Sequence, residues 1–182
     1  MAEPGDILAF WFGDDPDAVR QDWFEGGPAF DAACRRFRPA WEAARAGDFD
    51  DWRRAPSSLL AYVILTDQIP RNLYRKDARA FQTDDQALAA ARLAIRHGWD
   101  RVMRKQERLF LYLPFEHAED LATQEESLRL YQDLGEANYV EYAQAHLDLI
   151  RRFGRFPHRN VLLGRESTAE EIAFMAEHGR GY

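Results

Sequence analysis

The sequence predicts an all-α protein, an antiparallel multi-helix array, and three observations carry that prediction. The 182-residue chain holds 27 Ala and 18 Leu but only 5 Val, 6 Ile and 4 Thr. Residues that lose little freedom in a helix therefore outnumber the β-branched residues that a sheet prefers. Apolar residues recur at helical spacing between Gly and Pro punctuation, and no segment alternates at period two long enough to make a strand.

The elements follow in order. Asp6 is positioned to cap a short helix through Ile7, Leu8, Phe10 and Trp11 that Gly13 ends, and Pro16 to open a second reaching Trp23 and Phe24. Pro28 opens a longer helix with Phe30, Ala33, Cys34, Phe37, Trp41 and Ala44 on one face. Pro39 should kink or break it, and Gly47 should stop it. Ser57 or Ser58 is expected to cap the next helix. Its Leu59 to Leu65 run is apolar all round and so belongs at the centre of the fold, with Pro70 as its end. Thr83 and Gln86 have capping-box spacing before a helix from Asp84 to His97 that Gly98 closes. Further helices are predicted around Lys105 to Leu113, from about Phe115 to Leu134, and from about Asn138 to Phe153. A last one starts at a Ser167/Glu170 capping box and ends at Gly179.

Composition bounds the rest. At 46% hydrophobic and 13% aromatic the chain is globular, and its length suits one domain over residues 1–182. The start lacks the basic and apolar regions of a signal peptide, and the Leu59 to Leu65 run is far short of a membrane span, so a soluble cytoplasmic protein is expected. The lone Cys34 lies in a helical pattern and reads as a small core residue. A net charge of −7 argues against nucleic acid as partner. Of the 24 basic residues, 22 are Arg, which weakens any inference of anion binding from arginine content alone.

Four segments carry a family resemblance: Ile7 to Gly13 (ILAFWFG), Leu65 to Asn72 (LTDQIPRN), Tyr112 to Asp120 (YLPFEHAED), and Arg152 to Asn160 (RFGRFPHRN) with Leu163-Gly164-Arg165. Together they resemble the bacterial domain-of-unknown-function family numbered 924, nearly end to end. The resemblance implies an all-helical fold similar to tetratricopeptide-repeat hairpins. It supplies no catalytic residues, and no repeat near 34 residues is legible in the chain itself.

Two constellations could carry chemistry. Helical spacing would put Glu116, Asp120 and Gln124 on one face, with His117 beside Asp120, an arrangement suited to an acid–base pair. The same acids after Pro114 also suit plain dipole stabilisation of a helix start. No metal is expected, because neither Glu-x-x-His nor His-Glu-x-x-His occurs there, and no cofactor motif is present. The second constellation is the acid-free stretch from Leu149 to Leu163, with Arg151, Arg152, Arg155, His158, Arg159 and Asn160. Its guanidinium groups could clamp a carboxylate or phosphate, or could instead pair with Glu116, Glu119, Asp120 and Asp67 to lock the loop. Gln68-Ile-Pro70-Arg71-Asn72 echoes Phe156-Pro157-His158-Arg159-Asn160, either as two similar turns or as two sides of one pocket. Asp67 and Gln68, at the end of the central helix, need partners, for which Arg71 and the arginine loop are the candidates.

Three functions fit these residues. One is a binding module with an arginine-lined pocket or groove for a peptide, a protein segment or a small anion, which the implied fold favours. Another is an enzyme using His117 or His158 with Glu116 or Asp120, and arginines as anion clamps. In the third, the polar cluster is structural. Neither a membrane nor nucleic acid is expected as partner, and the oligomeric state is not legible.

Overall fold

The computed structural model describes residues 2–15 and 17–179, and these divide into two compact units, Met1–Pro114 and Phe115–Tyr182. The division falls inside a helix just after Pro114, so no linker composition marks it. The described residues are helical or irregular with no strand, as predicted.

The first unit contains α1 (Pro4–Phe12), α2 (Asp22–Glu25), α3 (Pro28–Cys34), α4 (Arg38–Ala46), α5 (Pro56–Val63), α6 (Ile69–Leu73), α7 (Asp84–Arg96) and most of α8 (Lys105–Glu116). Short 3-10 turns lie between several of them. Glu3, not Asp6, is the N-cap of α1. The two form a capping box in which Asp6 takes the third position, because Pro4 occupies the first turn, where a missing N–H costs nothing. The helix start expected at Pro16 lies outside the described residues, and α2 covers Trp23. Pro39 breaks the helix as predicted: a 3-10 turn over Arg35–Phe37 separates α3 from α4, and Gly47 closes α4 in the left-handed conformation (φ 95°).

The helix α5 starts at Pro56 with Ala55 as N-cap. Neither Ser57 nor Ser58 caps it, and the Ser58 hydroxyl instead donates to the Ala55 carbonyl. Leu59 to Leu65 are all buried, as their uniform apolarity predicts. α1 and α7 pack on α5. α7 faces inward with Ala87, Ala90, Ala91 and Ala94, a helical stripe of methyl groups that lets the two backbones approach closely.

Pro70 does not end this helix. The chain widens into a π-helical turn over Ile64–Gln68, where Ile69 N–H bonds to the Ile64 carbonyl five residues back, and then continues as α6. Proline lacks the N–H that would serve the carbonyl of Thr66, four residues earlier. The Thr83 hydroxyl donates to that carbonyl instead, and it accepts the Trp41 indole N–H at 3.0 Å. Thr83 is thereby occupied, so the capping box with Gln86 does not form. The Gln86 amide reaches the Ala44 and Arg45 carbonyls.

The second unit holds the end of α8, then α9 (Leu121–Leu134), α10 (Ala137–Phe153) and α11 (Ala169–His178). The helices α9 and α10 form an antiparallel pair turned at Gly135, whose φ of 82° suits a residue without a Cβ. The capping box of α11 is one residue later than expected, Thr168 with Glu171. The repeated Ser-Thr and Glu-Glu pairs make both registers equally readable in sequence. Among the described residues no helix is long and apolar enough to cross a membrane.

Replacing Thr83 with Val should strand both the Thr66 carbonyl and the Trp41 N–H in the core. A loss of about 1–3 kcal/mol in urea unfolding is expected. An unchanged midpoint would mean that Thr83 does not bridge the turn.

Candidate functional site

The acidic segment is not one helix. α8 runs through Pro114 to Glu116, His117 to Asp120 form a turn, and Asp120 N-caps α9 by accepting Thr123 N–H at 2.8 Å and the Thr123 hydroxyl at 2.6 Å. Glu116 and Asp120 therefore do not share a helix face, and Asp120 is used as a cap. Gln124 is fully buried, and its amide N–H groups reach the carbonyls of Glu116 (2.6 Å), Ala118 (2.7 Å) and Phe115 (3.3 Å). They cover carbonyls that the end of α8 leaves without helical partners.

Glu119, in the turn, joins the acidic segment to the arginine loop. Its carboxylate takes the Phe156 N–H at 2.7 Å and both arms of Arg165 at 2.6 and 2.9 Å. Burial pushes this carboxyl upward, but the Arg165 hydrogen bonds, the Phe156 N–H and the charges of Arg159 and Arg165 hold it below its ordinary range. Arg165 also donates to the Asn160 side chain and the Phe156 carbonyl.

Arg155 is committed elsewhere than expected. It grips Glu171 of α11 with two bonds of 2.7 and 2.9 Å and reaches the Glu166 carbonyl at 2.8 Å. Glu171 is 2% exposed, takes the Thr168 N–H at 2.7 Å, and has Asn160 Nδ2 at 3.3 Å. The Arg155 hydrogen bonds above all, with those of Thr168 and Asn160, hold its carboxyl down at about 2 against the opposing effect of burial. Arg152 pairs with Glu170 at 2.8 Å on the surface. Arg159 is buried, with its guanidinium 4.6 Å from the Phe156 ring centre.

A histidine missed in the sequence sits among these groups. His146 is 4% exposed on the inner face of α10, with Ala143, Leu147 and Ile150. Its Nδ1 lies 2.8 Å from the Tyr142 carbonyl, which can only accept, so Nδ1 carries the proton; Glu116 is 3.6 Å away. Burial, and then the nearby His117, Arg159 and His158 opposing the Tyr142 hydrogen bond, push its pKa down to about 3, so the ring is neutral. The half-buried His158 lies 5.7 Å from the Phe156 ring, and His146 meets the same ring edge-on at 5.5 Å. A histidine interrupting an apolar helical stripe was the signal for this residue. Among the described residues no group of three or more His, Cys, Asp or Glu is placed to hold a metal.

The first echo motif forms a separate network in the first unit. Asp67 is fully buried; it accepts the Gln68 amide at 2.6 Å, and Arg71 lies 3.3 Å from its carboxylate. Arg71 also donates to the Asp67 carbonyl and forks onto Asp84 at 2.8 and 2.9 Å. Asn72 donates to the Gln68 carbonyl and accepts from Arg75, which forks onto Asp31.

The same unit carries an open groove that sequence reasoning did not find. Two surface depressions of about 480 and 520 Å³ share Phe10 as a common wall. Phe10 stacks on Phe30 at 5.4 Å and tilts against Phe37 at 5.1 Å. Arg36 caps the first depression, its guanidinium 4.6 Å from the ring centres of both Phe10 and Phe37. Arg36 is exposed and makes no ion pair among the described residues. Arg20, beside the second depression, is consumed by Asp22 and by the Phe10 and Trp11 carbonyls.

The described residues form an all-helical protein in which forked arginine–carboxylate pairs tie loops and helices together. The profile described as "bacterial protein of unknown function (DUF924)" matches residues 7–179, and the chain belongs to that family. It is similar to a solved structure of a protein of unknown function from Agrobacterium tumefaciens, at 43% identity and a TM-score of 0.88, over 96% of this chain and 97% of that one. No curated protein matches.

Two outcomes test the network. Glu119→Ala leaves the Phe156 N–H without its acceptor and Arg165 without its carboxylate, and a loss of about 2–3 kcal/mol by chemical denaturation is expected. Glu171 has a folded pKa below its unfolded value, so its stabilisation is complete above about pH 5 and is lost as pH falls through about 2. A pH series of melting temperatures should show a fall across that window, and a shallower one in Arg155→Ala. Equal slopes would remove Arg155 as the cause.

Proposed function

We propose that the protein is a binding module that holds a short acidic, apolar peptide segment in the groove over Phe10. The observation that carries this reading is Arg36, an exposed guanidinium stacked on two rings at the groove's edge, which makes no ion pair among the described residues. The rings offer an apolar floor for one side chain of the segment, and Arg36 offers a fork for an adjacent carboxylate. Arrays of packed helices can present such grooves to extended segments, which supports the reading by analogy alone.

The arginine loop supports it less. Arg152, Arg155 and Arg165 are each paired with a carboxylate, which favours a structural role for them. Acid–base chemistry at the buried histidine gains no support either. With a pKa of about 3, His146 is too weak a base to take a proton at neutral pH.

Selection from a displayed library of random heptapeptides tests the proposal. Enriched sequences should pair Asp or Glu with an aromatic or branched apolar residue. Binding, followed by fluorescence polarisation, should weaken roughly tenfold in Arg36→Glu. Arg36 is exposed, so the variant should melt with wild type. No enrichment, or peptides that bind Arg36→Glu equally well, would sink the reading.

A further inference from the structure

A different observation, in the second unit, points to an internal site. Gln124 and Ser127 are both fully buried and lie three residues apart on α9, hence on one face. Gln124 Oε1 and the Ser127 hydroxyl make no hydrogen bond among the described residues. The Gln124 amide cannot simply be flipped, because its nitrogen already faces three carbonyl oxygens. Its oxygen therefore points away from them and can only accept. Ser127 also differs from Thr66, whose hydroxyl bonds back to the carbonyl four residues earlier at 2.7 Å.

Counting equally back from the Gly135 turn, Gln124 and Ser127 lie opposite the stretch that contains Ala143 and His146. Ala143 is fully buried and contributes only a methyl group. We infer that Gln124 Oε1 and the Ser127 hydroxyl together bind a small neutral molecule that donates hydrogen bonds, water being the smallest of that class. An anion is excluded because Gln124 Oε1 offers no proton. A neutral donor instead satisfies Oε1 with one hydrogen and exchanges a second bond with the hydroxyl.

The sign of one substitution decides it. If the Ser127 hydroxyl holds a bound molecule, Ser127→Ala loses that bond and melts about 2–4 °C lower than wild type. If the hydroxyl is truly unsatisfied, removing it relieves a cost, and an equal or higher melting temperature overturns the inference. A high-resolution crystal structure, grown without polyols, gives the second readout. Density within hydrogen-bonding distance of both Oε1 and Oγ is expected in wild type and should be absent in Ser127→Ala. A compact peak identifies water and elongated density a larger alcohol or amide. No density at the site overturns the proposal.

Discussion

A carboxylate taken out of water must be given donors, and much of the loop structure here follows from that requirement. Asp67, Glu119 and Glu171 are each drawn inward; Asp67 is met by its neighbours Gln68 and Arg71, while Glu119 and Glu171 are met by donors from distant sequence. Glu119 is the fullest case. By taking the Phe156 N–H and both arms of Arg165, it ties the turn before α9 to both ends of the loop after α10. That loop has little regular structure to hold it, so its backbone groups must be satisfied individually.

The arginine bias of the composition acquires a physical meaning from these pairs. Arg71 with Asp84, Arg75 with Asp31, Arg155 with Glu171 and Arg165 with Glu119 all meet as two-pronged forks. A lysine ammonium could match the charge but not the planar geometry, nor the remaining N–H groups that reach carbonyls such as those of Asp67 and Glu166. Arginine serves here as a structural connector, which is why a run of it is a poor guide to where an anion binds.

Sequence alone revealed the elements whose signals are local. Pro28, Pro39, Gly47 and Gly154 mark ends or breaks because each acts through its own backbone, and Leu59 to Leu65 is central because nothing in it tolerates water. The misreadings came from residues whose behaviour is set elsewhere. Pro70 continues a helix because Thr83 supplies its missing bond from 13 positions away. Pro114 sits within α8 rather than at the start of α9. In the site, the match between Glu119 and the arginine-rich loop was legible as opposite charge. The choice of Glu171 for Arg155 was not, since adjacent glutamates present the same charge in either register. His146 was hidden because a buried neutral imidazole looks, in sequence, like one polar interruption of an apolar stripe.

The π-helical turn at Ile64–Gln68 has a consequence for how this chain can vary. An α-helix advances 100° per residue, so a wider turn acts as a phase correction, setting the angular position of everything beyond it. Run as an uninterrupted α-helix, the same residues would turn α6 by about a quarter of a circle relative to α5, carrying Arg71 away from Asp84 and Arg75 away from Asp31. The wide turn thus absorbs one residue in excess of the α-helical pitch, and the side chains beyond it meet their partners because of that extra residue.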